Sequence, residues 1–231
     1  MGRTKWDKAL SNVLHPGCLY FHVDEGLRSS FIDGCSIWEG CNNKQIELIS
    51  TGCSTFWKGP DVMLKVAKIL TELKIKFIWR IVGKMDESIR KIVEKKEEAK
   101  YTDNNILFVG LLKPGELRNL LSKSSIYVHT AYIENSPNSI CEAQCVGLPI
   151  ISTNVGGISS LVKDGEEGVL VPANDPWQMA EAIIELAADK DRMQLYSTNC
   201  KRRALERHRD DKILNDLVSC YESIVCNRNI R

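Results

Sequence analysis

From Gln45 onward, short β-rich runs alternate with segments of helical period, and this alternation constrains the chain more than any other feature. Such a rhythm is the mark of βαβ units and a parallel sheet. The first run, 46–50, is followed by a helical stretch at 60–73 with apolar residues at 63, 64, 66, 67, 70 and 73. The unit then repeats. Strands are predicted at 77–82, 106–109, 126–129, 149–152 and 168–171, six in all. Between them lie a charged helix at 86–99, a helix at 114–122 with Leu117, Leu120 and Leu121 facing inward, a helix at about 137–145, and a short one ending at Val162. Asp175 is an apt N-cap with Pro176 at the first position of a helix running to 188, and two more helices, near 191–207 and 210–226, follow.

Residues 1–44 do not join this rhythm and are read as an appendage to a domain spanning 45–231. They hold two of the five Trp and three of the nine Cys, with low-periodicity stretches around Asp33-Gly34 and Glu39-Gly40. A length of 231 residues allows one large domain, or one with an appendage. At 43% hydrophobic and 26% charged, the chain has a globular composition. Its net charge of +1 gives no global field for nucleic acid or an anionic bilayer. The longest apolar runs, such as 147–152 and 168–172, fall far short of the about 20 residues that cross a bilayer. The charged start has no secretory apolar core after it, so a cytoplasmic location is expected. The nine cysteines lack zinc-type pairs and read as reduced thiols, and the four histidines are scattered singly, so no metal is expected.

In an open parallel sheet, ligands gather outside the carboxyl ends of the strands, so the loops that follow strands are the ones to read. The most informative runs from Thr130 to Ala143. Ser136 suits an N-cap and Pro137 the first helical position, which would leave the N–H groups of Asn138, Ser139 and Ile140 free. Free amides and the positive end of the helix together attract phosphate, with the side chains of Asn138 and Ser139 as further donors. Glu142, within two turns of that start, could accept two bonds from a ribose diol, and Glu134 would sit in the cleft mouth. On spacing alone, a solvated loop Glu and a surface helix Glu fit equally well. Lys58, in Trp57-Lys58-Gly59-Pro60, stands at a helix start and could neutralise a diphosphate, or be an ordinary surface lysine. Neither a Walker A spacing nor Gly-x-Gly-x-x-Gly occurs. Gly156-Gly157 permits close approach of a ligand or of another segment, and Gly83 and Gly110, directly after strands, could clear room for a base.

Taken together, residues 52–172 resemble the nucleotide-binding C-terminal half of GT-B glycosyltransferases, and specifically the retaining family 4. The matching words are Trp57-Lys58-Gly59, Ile81-Val82-Gly83, Phe108-Val109-Gly110, Glu134-Asn135-Ser136-Pro137-Asn138-Ser139-Ile140-Cys141-Glu142-Ala143, Gly147 through Gly157, and Asp164 through Pro172. The resemblance implies a Rossmann-like, three-layer α/β/α lobe. It implies that Glu134 meets the hydroxyls of the donor sugar, Glu142 the ribose, and Lys58 the diphosphate, with Ser136, Pro137, Asn138 and Ser139 cradling the phosphates. The catalytic pair would be Glu134 and Lys58, and no cofactor beyond a UDP- or GDP-sugar donor is expected. The family's usual arginine, five or six residues before the lysine, is absent; Gly52 and Cys53 stand there, and Arg80 and Lys84 are candidate substitutes.

The resemblance also implies a hexose transfer of the kind used in polysaccharide biosynthesis. Only about 45 residues precede the first strand, so the acceptor lobe is expected to be missing, with 1–44 its appendage or remnant and transfer by this chain alone poor. The expected partners are the donor and that lobe, with any peripheral membrane association running through the lobe. A non-catalytic nucleotide-sugar-binding module, or a GT-B-like epimerase or phosphorylase, is the alternative.

Overall fold

The computed structural model describes residues 1–32, 37–40 and 45–228. Six strands, β1 (Ile46–Thr51), β2 (Phe77–Val82), β3 (Ile106–Gly110), β4 (Ile126–His129), β5 (Ile150–Thr153) and β6 (Gly168–Val171), form one sheet in the order β3-β2-β1-β4-β5-β6. Every neighbouring pair is parallel. Leu48 lies between Trp79 and Ile126, and Tyr127 beside Ile150. All four residues of β4 and of β5 are buried, as expected of parallel strands covered on both faces. Gly168 pairs with Ile150 so closely that a Cβ on it would lie 2.2 Å from the Ile150 carbonyl oxygen.

The helices in chain order are α1 (Lys5–Leu14), α2 (Ser29–Ile32), α3 (Pro60–Glu72), α4 (Glu87–Lys96), α5 (Pro114–Ser122), α6 (Asn138–Val146), α7 (Ile158–Leu161), α8 (Pro176–Ala188), α9 (Lys190–Arg207) and α10 (Asp210–Arg228). One group packs α3 against α4 and α8, and another packs α6 against α5 and α9. The apolar periodicity of α3 is used up to Leu70, with Val62, Met63, Leu64, Val66, Ala67, Ile69 and Leu70 buried, while Leu73 caps the helix and is exposed. The expected six-stranded parallel α/β/α lobe is present, with strand limits within one residue of those read from the sequence.

The helix limits lie within three residues of those read from the sequence, and two of the differences have a visible local cause. The α4 helix stops at Lys96, because Glu98 takes a left-handed conformation (φ 48°) that helix geometry does not allow. Ser136 does not cap α6: Pro137 has an extended ψ of 118°, so it is itself the N-cap and the helix starts one residue later, at Asn138. The Asp175 cap holds, accepting the Gln178 N–H at 3.0 Å.

The segment ahead of β1 packs onto the domain. Phe31 and Trp38 join its core, the Trp38 N–H donates to the Val146 carbonyl, and the Trp38 indole donates to the Ser124 carbonyl at 2.8 Å. Helix α1 carries a capping box in which Thr4 and Asp7 satisfy each other's backbone. Asp33-Gly34, Cys35 and Cys41 lie outside the described residues. The seven described cysteines are free.

Candidate functional site

The sheet winds outward from β1 to β3 on one side and from β4 to β6 on the other. Its switch point is therefore the β1/β4 pair, where a crevice opens above the carboxyl ends. The loops after these two strands carry Lys58 and Glu134.

After β1 the chain enters a 3-10 turn, Phe56–Lys58, closed by Gly59 at φ 70°. Only glycine fits here, since a Cβ would lie 2.0 Å from the Thr130 carbonyl oxygen. That contact, the Tyr132 N–H donated to the Trp57 carbonyl (2.8 Å) and the Thr130 hydroxyl donated to the Lys58 carbonyl (2.9 Å) lock the turn onto the loop after β4. The lock aims the Lys58 ammonium at the Glu134 carboxylate, which it contacts. Both side chains are largely covered, at 27% and 17% exposure. Two residues 76 apart in sequence thus form one ion pair at the cleft mouth.

Glu134 is fixed from behind. Its carbonyl accepts the Gly157 N–H at 2.9 Å, and Cβ atoms on Gly156 and Gly157 would lie 2.0 Å and 2.2 Å from the carbonyl oxygens of Glu134 and Asn135. Of the two uses open to the paired glycines, close approach to another segment is the one found. The neighbouring Asn135 accepts a hydrogen bond from the Thr4 hydroxyl (2.6 Å) and donates to Asp7 (3.1 Å), so α1 also braces this loop.

At the start of α6, the Asn138 and Ser139 N–H groups have no partner among the described residues, while the Ile140 N–H donates to the Pro137 carbonyl at 3.1 Å. Two of the three expected free amides are therefore available. The Tyr127 hydroxyl, near Ser139, bonds the Thr51 hydroxyl at 2.9 Å and ties the ends of β4 and β1 together. Burial pushes the Tyr127 phenol up to about 12, so it stays a neutral donor.

Glu142, one turn further, is buried and makes no hydrogen bond or ion pair with the described residues. Burial raises its pKa, and the nearby charge of Arg28 partly offsets the rise. A surface helix Glu it is not; the carboxylate is desolvated and its acceptor capacity is unspent. Gly52 and Gly83 follow β1 and β2 and Gly110 ends β3, with the Gly83 N–H donated to the Gly110 carbonyl at 2.8 Å. Nothing would meet a Cβ on Gly52 or Gly110 within 4 Å, so this edge is open. Arg80 turns back along the sheet to Glu47, away from the carboxyl ends, and Lys84 is exposed just past β2.

One neighbour escaped the sequence reading. His129, the last residue of β4, is 4% exposed, and its Nε2 lies 3.8 Å from Glu134 with no hydrogen-bond partner. Burial first, and the Lys58 charge second, lower its pKa to about 3, so the ring is neutral. Its only available signal was its place at a strand's carboxyl end. Arg28 was missed as well, for it lies in the stretch without periodicity.

The arrangement offers an anion two amides, a helix start and an ammonium, and offers hydroxyls two carboxylates. Among the described residues no group of three or more His, Cys, Asp or Glu could hold a metal ion, and no helix is long and apolar enough to cross a membrane.

Residues 39–203 match the family of glycosyl transferases group 1. The chain belongs to that family. An uncharacterized glycosyltransferase of Methanocaldococcus jannaschii, MJ1069, is 28% identical over 191 residues, 82% of this chain and 48% of that protein. The N-acetyl-alpha-D-glucosaminyl L-malate synthase of Bacillus anthracis is 26% identical over 71% of this chain and 42% of its own length. Among solved structures, S. aureus TarM bound to UDP superposes with a TM-score of 0.77 at 16% identity, covering 94% of this chain and 42% of TarM. Sucrose-phosphate synthase from Thermosynechococcus elongatus gives 0.77 at 18%, covering 98% and 58%. Anabaena HepE, in complex with UDP and glucose, gives 0.72 at 15%, covering 97% and 62%. This group 1 glycosyltransferase chain spans about half the length of the relatives it matches, and its fold is that of one half of a GT-B enzyme.

Proposed function

We propose that this chain is the donor-binding half of a retaining glycosyltransferase that takes a hexose from a nucleoside diphosphate sugar. The diphosphate lies across the free amides of Asn138 and Ser139, with Lys58 neutralising it. Glu142 accepts from the ribose hydroxyls, Glu134 faces the sugar, and the base rests over the open glycine edge at Gly83 and Gly110. Residues 1–44 are the part of the chain nearest an acceptor-binding lobe, and transfer requires such a lobe. The reading is supported by the family match, by the UDP held in the TarM and HepE structures, and by the chemistry of the switch point.

The observation that carries it is the Lys58–Glu134 pair beside the free start of α6. The ammonium answers the charge of the leaving diphosphate and the carboxylate the sugar hydroxyls, so one ion pair touches both sides of the bond that breaks. Titration calorimetry of UDP-, GDP- and ADP-sugars against the full chain tests it. Lys58→Ala should weaken the bound donor by roughly 10- to 100-fold, the scale of a charge-assisted bond lost. Glu134→Gln should lower the preference for UDP-sugar over UDP while leaving UDP affinity in place. No binding of any donor, or binding indifferent to Lys58→Ala, overturns the reading.

A further inference from the structure

A cavity of about 520 Å³ lies apart from the crevice above the sheet. It opens between α1, the stretch around Tyr20 to Asp24, α7, α9 and the start of α10, and none of Lys58, Glu134 or Glu142 lines it. Five cations do: Lys5, Lys8, Arg203, Arg207 and Lys212. Two carboxylates share the lining, and both are already engaged, while Lys212 also pairs with Asp216 outside it at 3.0 Å. Asp24 is shared by Arg207 (3.6 Å), Lys212 (3.1 Å) and His22 (3.2 Å), and Glu206 pairs with Arg202 at 3.0 Å. Arg207 is further spent on the carbonyl oxygens of Ser160 (2.6 Å) and Leu161 (3.3 Å).

Lys5, Lys8 and Arg203 are left without an ion-pair partner among the described residues, and the Arg203 Nε is buried with no hydrogen bond at all. Burying a guanidinium donor unpaired is costly, and a concave site focuses the field of the cations around it. We propose that this cavity is a second binding site, for a small soluble phosphomonoester with a hydroxyl-bearing body. Lys5, Lys8 and Arg203 take the phosphate, whose two charges at neutral pH fit three free cations. Ser159 and His22, also in the lining, address the hydroxyls. The volume lies in the range of small-molecule pockets. Thr4 lines the cavity while its hydroxyl holds Asn135, so the two sites are neighbours with separate linings.

Titration calorimetry of the full chain with glucose 6-phosphate is the test, with glucose as the uncharged control. Saturable binding of the phosphate ester and none of glucose is expected. The Lys5→Gln, Lys8→Gln double variant changes only exposed side chains and should weaken binding at least about tenfold, and Arg203→Gln should do the same. Excess UDP should not compete, and the double variant should bind UDP as the parent does. No saturable binding, competition by UDP, or affinity unchanged in both variants overturns the proposal. So does binding to phosphatidylcholine vesicles only when they contain phosphatidic acid, with none to glucose 6-phosphate, because the ligand is then a lipid headgroup.

Discussion

Burial disfavours the charged form of the Glu142 carboxylate, so ionising it opposes folding. Its pKa is raised by burial, so the folded state favours the protonated form; stability is greatest below the ordinary carboxylate range and falls as pH rises through it. Glu142→Gln should therefore raise Tm at pH 7. The same change removes a charged acceptor, so it should weaken nucleotide binding by roughly 1–3 kcal/mol. Thermal melts and titrations on one preparation check both signs, and a lower Tm would mean that the carboxylate is stabilised by a partner. His129 works in the opposite pH direction. Its pKa of about 3 lies below the ordinary 6.5, so the unfolded chain binds the extra proton and stability is lost as pH falls from 6.5 towards 3. His129→Gln should flatten that decline, whose limit is about 1.4 kcal/mol per pH unit for one group. Urea unfolding at several pH values between these limits reads it, and an unchanged slope would move the effect elsewhere. Glu142 and Lys58 were nameable as candidates in the sequence because each sits at a fixed offset from a turn or a helix start within the motifs of the family resemblance. The isolated imidazole was not, for its importance lies in what surrounds it.

Among the elements, the turn before α7 positions the loop after β4 by contact. Gly157 has an ordinary φ of −91°, so Gly157→Ala costs the collision of its Cβ with the Asn135 carbonyl oxygen, 2.2 Å away, and with the Thr4 side chain, 2.5 Å away, rather than backbone strain. Stability should drop by roughly 1–3 kcal/mol, as for other forced overpacking, and UDP-sugar binding should weaken with it as the Glu134 loop shifts. Gly165→Ala makes the contrast: φ is 75° but nothing lies within 4 Å, so it should cost about 1 kcal/mol of backbone strain and leave binding unchanged. Denaturant unfolding and titration of the two variants separate contact from conformation. The paired glycines announce close approach in the sequence, but whether to a ligand or to the chain itself depends on a loop 22 residues upstream. The shift of the α6 start by one residue has a similar origin. Proline fixes φ and leaves ψ free, and the ψ of Pro137 is set by how the loop arrives from Asn135, which two other segments hold.

For the whole molecule, the segment before β1 is part of the packed body. Trp38 fills the core beside α6 and satisfies two carbonyl oxygens with its own N–H groups. Trp38→Ala should cost about 3–5 kcal/mol in guanidinium unfolding, the usual loss for a large buried aromatic. A loss under about 1 kcal/mol would make the segment a detachable appendage. Nothing in its periodicity announced this, because it contributes single anchors such as Phe31 and Trp38 to a core built by other elements.

Six parallel strands, the helices to within three residues and the family were legible in the sequence alone, since these follow from local periodicity, turn residues and contiguous motifs. Only the tertiary structure decided that Lys58 and Glu134 meet, that Glu142 is desolvated and that His129 joins them. Each of those facts depends on β1 lying beside β4, and strand order is set by the packing of the complete sheet, which no local stretch of residues encodes.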